Sequence, residues 1–129
     1  MRIKIAVLPG DGIGPEVVDE AVGLLRTIAD LDDHRFDFVT RPVGAAAIRS
    51  HGSPLPAETL EACLAADAVL LGAVGDPEFE SAPPHARPEA GLLALRRELG
   101  AFANLRPAVA YDALADRSPL KPEIGRAHV

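Results

Sequence analysis

No apolar stretch in this chain approaches the roughly 20 residues that a helix needs to cross a membrane. The amino terminus, Met1-Arg2-Ile3-Lys4, starts a strand pattern at once, without a signal peptide's apolar segment and cleavage site. The expectation is therefore a cytoplasmic protein with no membrane partner. Basic residues are also short, 13 against 19 acidic for a net charge of -6, and they form no local cluster. A phosphate backbone would find nothing to hold it, which removes nucleic acid from the candidate partners. One cysteine, Cys63, excludes an internal disulfide, and its position on a helical apolar stripe suits a core residue better than a nucleophile. His34, His51, His85 and His128 are scattered through turns, loop and tail with no second ligand at metal spacing. Asp30, Asp32, Asp33, Asp112 and Asp116 follow no pattern that encloses a divalent cation, so no metal site is expected within the chain. Internal repeats and heptads are missing as well.

What is present is a chain of 129 residues, 48% hydrophobic, the size of one ordinary domain with enough apolar content for a core. Arg2 to Leu8 alternates Ile3, Ile5 and Val7 against Arg2, Lys4 and Ala6, the period of a strand. It feeds Leu8-Pro9-Gly10-Asp11-Gly12-Ile13-Gly14-Pro15-Glu16, where three glycines spaced by two lead into a helix. Pro15 suits the first helical position and Glu16 complements the helix dipole. Such a turn leaves room for backbone amides and the positive end of the helix to approach a bulky ligand. It also reads simply as a tight strand-to-helix connection, since it has neither the G-x-G-x-x-G spacing nor a P-loop's Gly-Lys-Ser/Thr ending.

The helix beginning at Pro15 carries Val18, Ala21, Val22, Leu25, Ile28 and Ala29 on one stripe, and Asp30 to His34 breaks it. A second strand is expected near Phe36 to Val43, followed by a short helix over Ala45 to Arg49. Gly52-Ser53-Pro54-Leu55-Pro56 interrupts that helix, and another runs from about Ala57 to Ala66. Ala68-Val69-Leu70-Leu71-Gly72-Ala73-Val74 is continuously apolar, as suits a parallel strand covered on both faces. Residues 75 to 90 hold Pro77, Pro83, Pro84 and Pro88, which predicts a long loop at the carboxyl end of that strand, where open α/β sheets bind ligands. Helical spacing resumes over Gly91 to Leu99, and Ala101 to Pro107 reads as a strand. The fold class is α/β, a mostly parallel sheet with flanking helices.

Glu89, Leu92 and Arg96 are three and four residues apart, so one helical face presents a carboxylate, an apolar knob and a guanidinium. Ten residues on, in Phe102-Ala103-Asn104-Leu105-Arg106-Pro107, Arg106 stands in an apolar setting where a lone charge is costly. Two arginines able to converge point to a ligand with carboxylate groups, because the planar guanidinium fork grips a carboxylate with two parallel hydrogen bonds. Arginine supplies 11 of the 13 basic residues, however, so two placed ten apart also arise without a shared role. Arg97, about 100° around the helix from Arg96, reads as a solvated charge or a partner of Glu98. Asp11 serves either a ligand or the polar groups of its own turn.

In these same segments the chain resembles the isocitrate/isopropylmalate dehydrogenase family of metal-dependent decarboxylating β-hydroxyacid dehydrogenases, and within it the isopropylmalate branch. The resemblance runs from residue 3 to about residue 124 and rests on four motifs: Leu8-Pro-Gly-Asp-Gly-Ile-Gly-Pro-Glu-Val17, Ala68-Val-Leu-Leu-Gly-Ala-Val-Gly75, Arg87-Pro-Glu-Ala-Gly-Leu-Leu-Ala-Leu-Arg96 and Phe102-Ala-Asn-Leu-Arg-Pro107. It implies NAD-dependent oxidation of the 2-hydroxyl of 3-isopropylmalate and loss of its 3-carboxylate as carbon dioxide, with Mg2+ or Mn2+ polarising the oxygen on carbon 2. By matching position it implies that Arg96 and Arg106 bind the malate carboxylates and that Leu92 touches the isopropyl branch. Glu89 then lies between substrate and nicotinamide, Ile13 beside the adenosine, and the loop from Asp76 and Pro77 to Glu89 along the NAD. A full-length homodimer is implied too.

The departures are specific. Gly75-Asp76-Pro77-Glu78-Phe79 stands where relatives usually show Gly-Gly-Pro-Lys-Trp. The family's catalytic lysine and tyrosine, a third substrate arginine and the metal aspartates belong to segments beyond residue 129. Tyr111, Lys4 and Lys121 stand in the wrong contexts to replace them. Gly125-Arg126-Ala127-His128-Val129 leaves the family pattern abruptly, so truncation with an atypical tail at 125–129 is expected. Residues 1–100 would begin the first, NAD-binding domain and residues 101–124 the second, leaving an incomplete sheet. The other readings are a related dehydrogenase of isocitrate, homoisocitrate or tartrate, and a non-catalytic nucleotide-binding module.

Overall fold

The computed structural model describes residues 1–106; Tyr111, Asp112, Asp116, Lys121, His128, the 125–129 tail and most of the expected second-domain segment lie outside the described residues. Strand β1 (Arg2–Gly10) is the centre of a three-stranded parallel sheet of order β2-β1-β3. Strand β2 (Arg35–Thr40) pairs with it from Arg2↔Arg35 to Val7↔Thr40, and β3 (Ala68–Ala73) from Ile5↔Ala68 to Gly10↔Ala73. Parallel neighbours require crossovers. Helix α1 (Gly14–Leu31) supplies the first, and α2 (Gly44–His51) with α3 (Ala57–Leu64) the second.

The alternation along β1 decides which helix covers which face. Ile5 and Val7 join Val18, Val22 and Leu25 of α1, together with Phe36, Phe38 and Leu70. Ala6 and Leu8 point the other way into a cluster with Val43, Cys63, Leu60, Val69 and Leu71, closed by Leu95 of α4 (Pro88–Glu98). A period of two therefore feeds two cores, one on each side of the sheet. β3 sends Leu70 to one and Val69 and Leu71 to the other, which is why its whole length is apolar.

The four largest departures from the sequence reading each have a local reason. β2 ends at Thr40 instead of near Val43: the Arg41 amide still donates to Val7 O at 2.9 Å, but Pro42 has no amide to give and Val43 turns into the core. Helix α4 begins at Pro88, before Gly91, because Arg87 is extended as a residue preceding proline prefers and Pro88 needs no amide partner. The proline-rich connection folds into two short 3-10 turns, Pro77–Phe79 and Pro84–Ala86. Finally, the strand expected over Ala101 to Pro107 does not form over 101–106. There Phe102 and Leu105 are fully or nearly fully exposed, and no described strand lies alongside to exchange hydrogen bonds.

Candidate functional site

The first crossover covers one face of the sheet and the second covers the other, so the winding reverses at β1. The carboxyl ends of β1 and β3 flank that reversal, the place where open α/β sheets form a ligand crevice. Three pieces meet there: the glycine turn after β1, the loop after β3 and the first turn of α4.

The glycine turn is bound to β3. Asp11 N donates to Ala73 O at 2.7 Å and Gly14 N to Asp11 O at 2.8 Å, so two amides of the turn already have protein acceptors. A Cβ at Gly10 or Gly14 would collide with backbone of Ala73, whereas one at Gly12 would meet nothing within 4 Å. Two of the three glycines therefore allow the turn to pack on the sheet, and the third faces open space. Ile13, 57% exposed although apolar, stands beside it where α1 begins.

Asp11 is 5% exposed and engages three backbone amides with its carboxylate. Oδ2 accepts from Ala45 N at 2.9 Å and from Gly75 N at 3.0 Å, and Oδ1 accepts from Ala46 N at 2.9 Å. The N-cap residue of α2 is Val43, which has no side-chain oxygen. Asp11 supplies the missing cap from a distant part of the chain and meets the positive end of the helix with a negative charge. The carboxylate thus bonds polar backbone, but the backbone of α2 and Gly75 and not that of its own turn.

Beyond Gly75, Asp76 caps the first 3-10 turn, Oδ1 accepting from Glu78 N at 2.9 Å. Its Oδ2 accepts from Arg49 Nη2 at 2.6 Å; Arg49 also donates to Glu78 Oε2 and lies 5.6 Å from the centroid of the Phe79 ring. The Arg49 guanidinium, helped by the Glu78 amide, holds the Asp76 carboxyl below the usual 3.8. Glu78 and then Asp76 make the Arg49 proton harder to remove. Sequence reasoning missed Arg49. Its available signals were a basic residue in the last turn of α2 and two acids in the loop where the resembled family carries glycine and lysine.

Helix α4 buries Pro88, Gly91 and Leu95 and leaves Glu89 and Arg96 exposed, with Leu92 half-buried between them. Glu89 Oε1 lies 3.2 Å from where a Cβ on Gly75 would stand, and Gly75 has a φ of +143° that side chains resist. Seven residues along the helix, about 10 Å at 1.5 Å per residue, Arg96 joins residues 101–105 around an open cavity of about 290 Å³. Arg106 is exposed and does not line that cavity, and neither does Leu92. Arg97 is exposed with its Nε 3.4 Å from Glu98 Oε1. Cys63 lies in the core, where burial pushes its thiol pKa up. His34 packs its ring against Phe36, His51 lies 3.2 Å from Glu58, and His85 is exposed. Among the described residues no three metal-capable side chains converge, and no helix is long and apolar enough to cross a membrane.

A parallel sheet wound both ways from its central strand, with glycine turn, proline loop and the first turn of α4 gathered at its carboxyl end, defines an open α/β protein. This chain belongs to the isocitrate/isopropylmalate dehydrogenase family, whose family model matches residues 4–129. It is 55% identical over 123 residues to a 3-isopropylmalate dehydrogenase from Priestia megaterium, covering 95% of this chain and 33% of that protein. A 3-isopropylmalate dehydrogenase from Moorella thermoacetica is 58% identical over 122 residues, 94% of this chain and 34% of that one. The chain thus spans about a third of the length of the curated relatives it matches. Among solved structures, an isocitrate dehydrogenase from Methylococcus capsulatus superposes with a TM-score of 0.70 at 31% identity, over 84% of this chain and 29% of that one. A β-decarboxylating dehydrogenase from Thermococcus kodakarensis gives 0.59 at 38% identity, over 76% and 27%.

Proposed function

We propose that this chain is the amino-terminal third of an NAD-dependent 3-isopropylmalate dehydrogenase of leucine biosynthesis, a cytoplasmic homodimer at full length. The observation that carries this is identity above one half, across nearly the whole chain, to proteins of that name. The reaction oxidises the 2-hydroxyl of 3-isopropylmalate and releases its 3-carboxylate as carbon dioxide, leaving 4-methyl-2-oxopentanoate. Residues 1–100 contribute to the NAD-binding domain and residues 101–124 begin the second.

Arg96 and Arg106 hold the substrate carboxylates through paired charge-assisted hydrogen bonds. Leu92, half-buried one turn before Arg96 on α4, receives the isopropyl branch, and Glu89 at the helix start stands between substrate and nicotinamide. Bound NAD would supply the acceptor for the hydride on carbon 2. The crevice suits it: Ile13 offers an exposed apolar surface for the adenosine at the start of α1, and Gly12 leaves that approach open. Pro77 lines the same side. Asp76 contributes backbone and loop shape, its carboxylate oxygens being engaged by Arg49 and Glu78 N. By the family resemblance, the Mg2+ or Mn2+ of this reaction would take its ligands from segments beyond residue 129.

Leu92 also separates the substrates of the family. A polar branch wants a hydrogen-bonding group, whereas burying a branched alkyl group against leucine is worth about 1.5–3 kcal/mol. The test is kcat/KM of the full-length enzyme carrying this segment. Preference for 3-isopropylmalate is expected, and preference for isocitrate overturns the assignment. The 129-residue chain alone, with the outer edge of β3 unpaired among the described residues, is expected to aggregate or stay partly molten and to form no NADH.

A further inference from the structure

Helix α2 is attached to the loop after β3 at both of its ends. At its amino end Asp11 joins Ala45 N and Ala46 N to Gly75 N. At its carboxyl end Arg49 reaches Asp76 and Glu78 and lies over Phe79. The loop between Gly75 and Pro88 otherwise has few apolar side chains with which to anchor itself, and Asp76 and Glu78, two residues apart, repel each other unless a cation stands between them. We propose that Arg49 is a positioning residue for the cofactor side of the site, holding the Pro77–Phe79 turn beside Gly75 and Glu89 so that the crevice is shaped before a dinucleotide arrives. This rests on the dehydrogenase reading above.

The clamp is exposed. The Arg49 side chain is 49% exposed, Asp76 22% and Glu78 61%. Ion pairs in such surroundings are shallow and weaken as salt is added. Arg49 therefore sets where the turn sits more than whether the domain folds, and its hold weakens as salt is added. Its effect belongs in cofactor affinity and leaves the chemical step alone.

The test uses the full-length enzyme carrying this sequence, with the variants R49A, R49K and the charge swap R49E/E78R. Three quantities are read: hydrogen exchange at the Glu78 amide without ligand, the Kd for NAD by titration, and kcat. R49A is expected to speed exchange at Glu78 and to raise the Kd by about three- to tenfold, the range that two exposed ion pairs and one cation–π contact allow, with kcat within about twofold. R49K recovers part of the affinity and the charge swap most of it. Raising the salt to about 0.5 M brings the unmodified enzyme part of the way toward R49A, since exposed ion pairs weaken at high salt. Unchanged exchange and Kd in R49A overturn the proposal, as does a charge swap no better than R49A. Loss of all turnover on 3-isopropylmalate, with exchange and Kd responding as described, rejects the substrate assignment and leaves the clamp standing. Absence of NAD binding in the unmodified enzyme rejects both.

Discussion

Asp11 and Asp76 do the same job in two unlike regions. Each caps a helical turn, and they are nearly neighbours, because Asp11 holds the amide of Gly75. Asp11, however, is shut into the packed part of the molecule and answers only backbone amides. Asp76 sits at the rim and answers one amide of its own turn and one half-exposed arginine. The comparison teaches that identical chemistry builds the fold where water is excluded and adjusts a loop where water competes. An amide left without a partner in the interior cannot recover its loss from solvent, whereas one at the rim can.

Replacing Asp11 by Ala is the strongest way to break that contrast. It strips the acceptor from three amides, each costing about 1–3 kcal/mol if left unpaired, so chemical denaturation of the full-length enzyme should show a loss of about 3–5 kcal/mol. A loss under about 1 kcal/mol would mean that water reaches the knot and that the two aspartates are equivalent after all. Replacing Arg96 by Ala should lower kcat/KM for 3-isopropylmalate by about 2–5 kcal/mol in transition-state terms, as expected when a bound substrate carboxylate loses its guanidinium partner, while R97A stays within about 0.5 kcal/mol. Less than a tenfold effect of R96A would assign both arginines to the solvated surface. Replacing Gly75 by Ala puts a Cβ near Glu89 at a φ of +143°, with an expected stability loss of about 1–3 kcal/mol that links the two regions.

The smallest effect is the pH response of the rim. Because Arg49 lowers the pKa of Asp76 in the folded state, the pairing is fully present above the usual 3.8 and is lost as the pH falls through the depressed value. Titration of the Asp76 carboxyl carbon by NMR should place its midpoint below 3.8 in the native enzyme and move it up toward the usual range in R49A, where the Glu78 amide still favours the charged form. A normal midpoint in the native enzyme would remove the ion pair.

The sequence was most readable where its signals are local. Alternation along Arg2 to Leu8 and the stripe from Val18 to Ile28 located β1 and α1, and the spacing of Glu89, Leu92 and Arg96 placed all three on one helix. The roles of the glycines were less readable, since neither Gly10 nor Gly14 reveals in sequence that Ala73 will press against it. Arg49 was invisible, as its partners lie 27 and 29 residues away. The apolar character of 101–106 suggested a strand, but strand formation depends on a neighbour that no local pattern supplies.

Residue order alone thus determined the alternation of strand and helix, the sharp glycine connection and the family motifs, because each depends on groups within a few bonds or one helical turn of one another. Only tertiary structure decided that Asp11 caps a helix 34 residues away, that α2 grips the loop after β3 at both ends, and that the carboxyl ends of β1 and β3 flank the reversal of winding. Those outcomes depend on which surfaces the two hydrophobic cores bring together, and burial then fixes how strongly each polar contact counts.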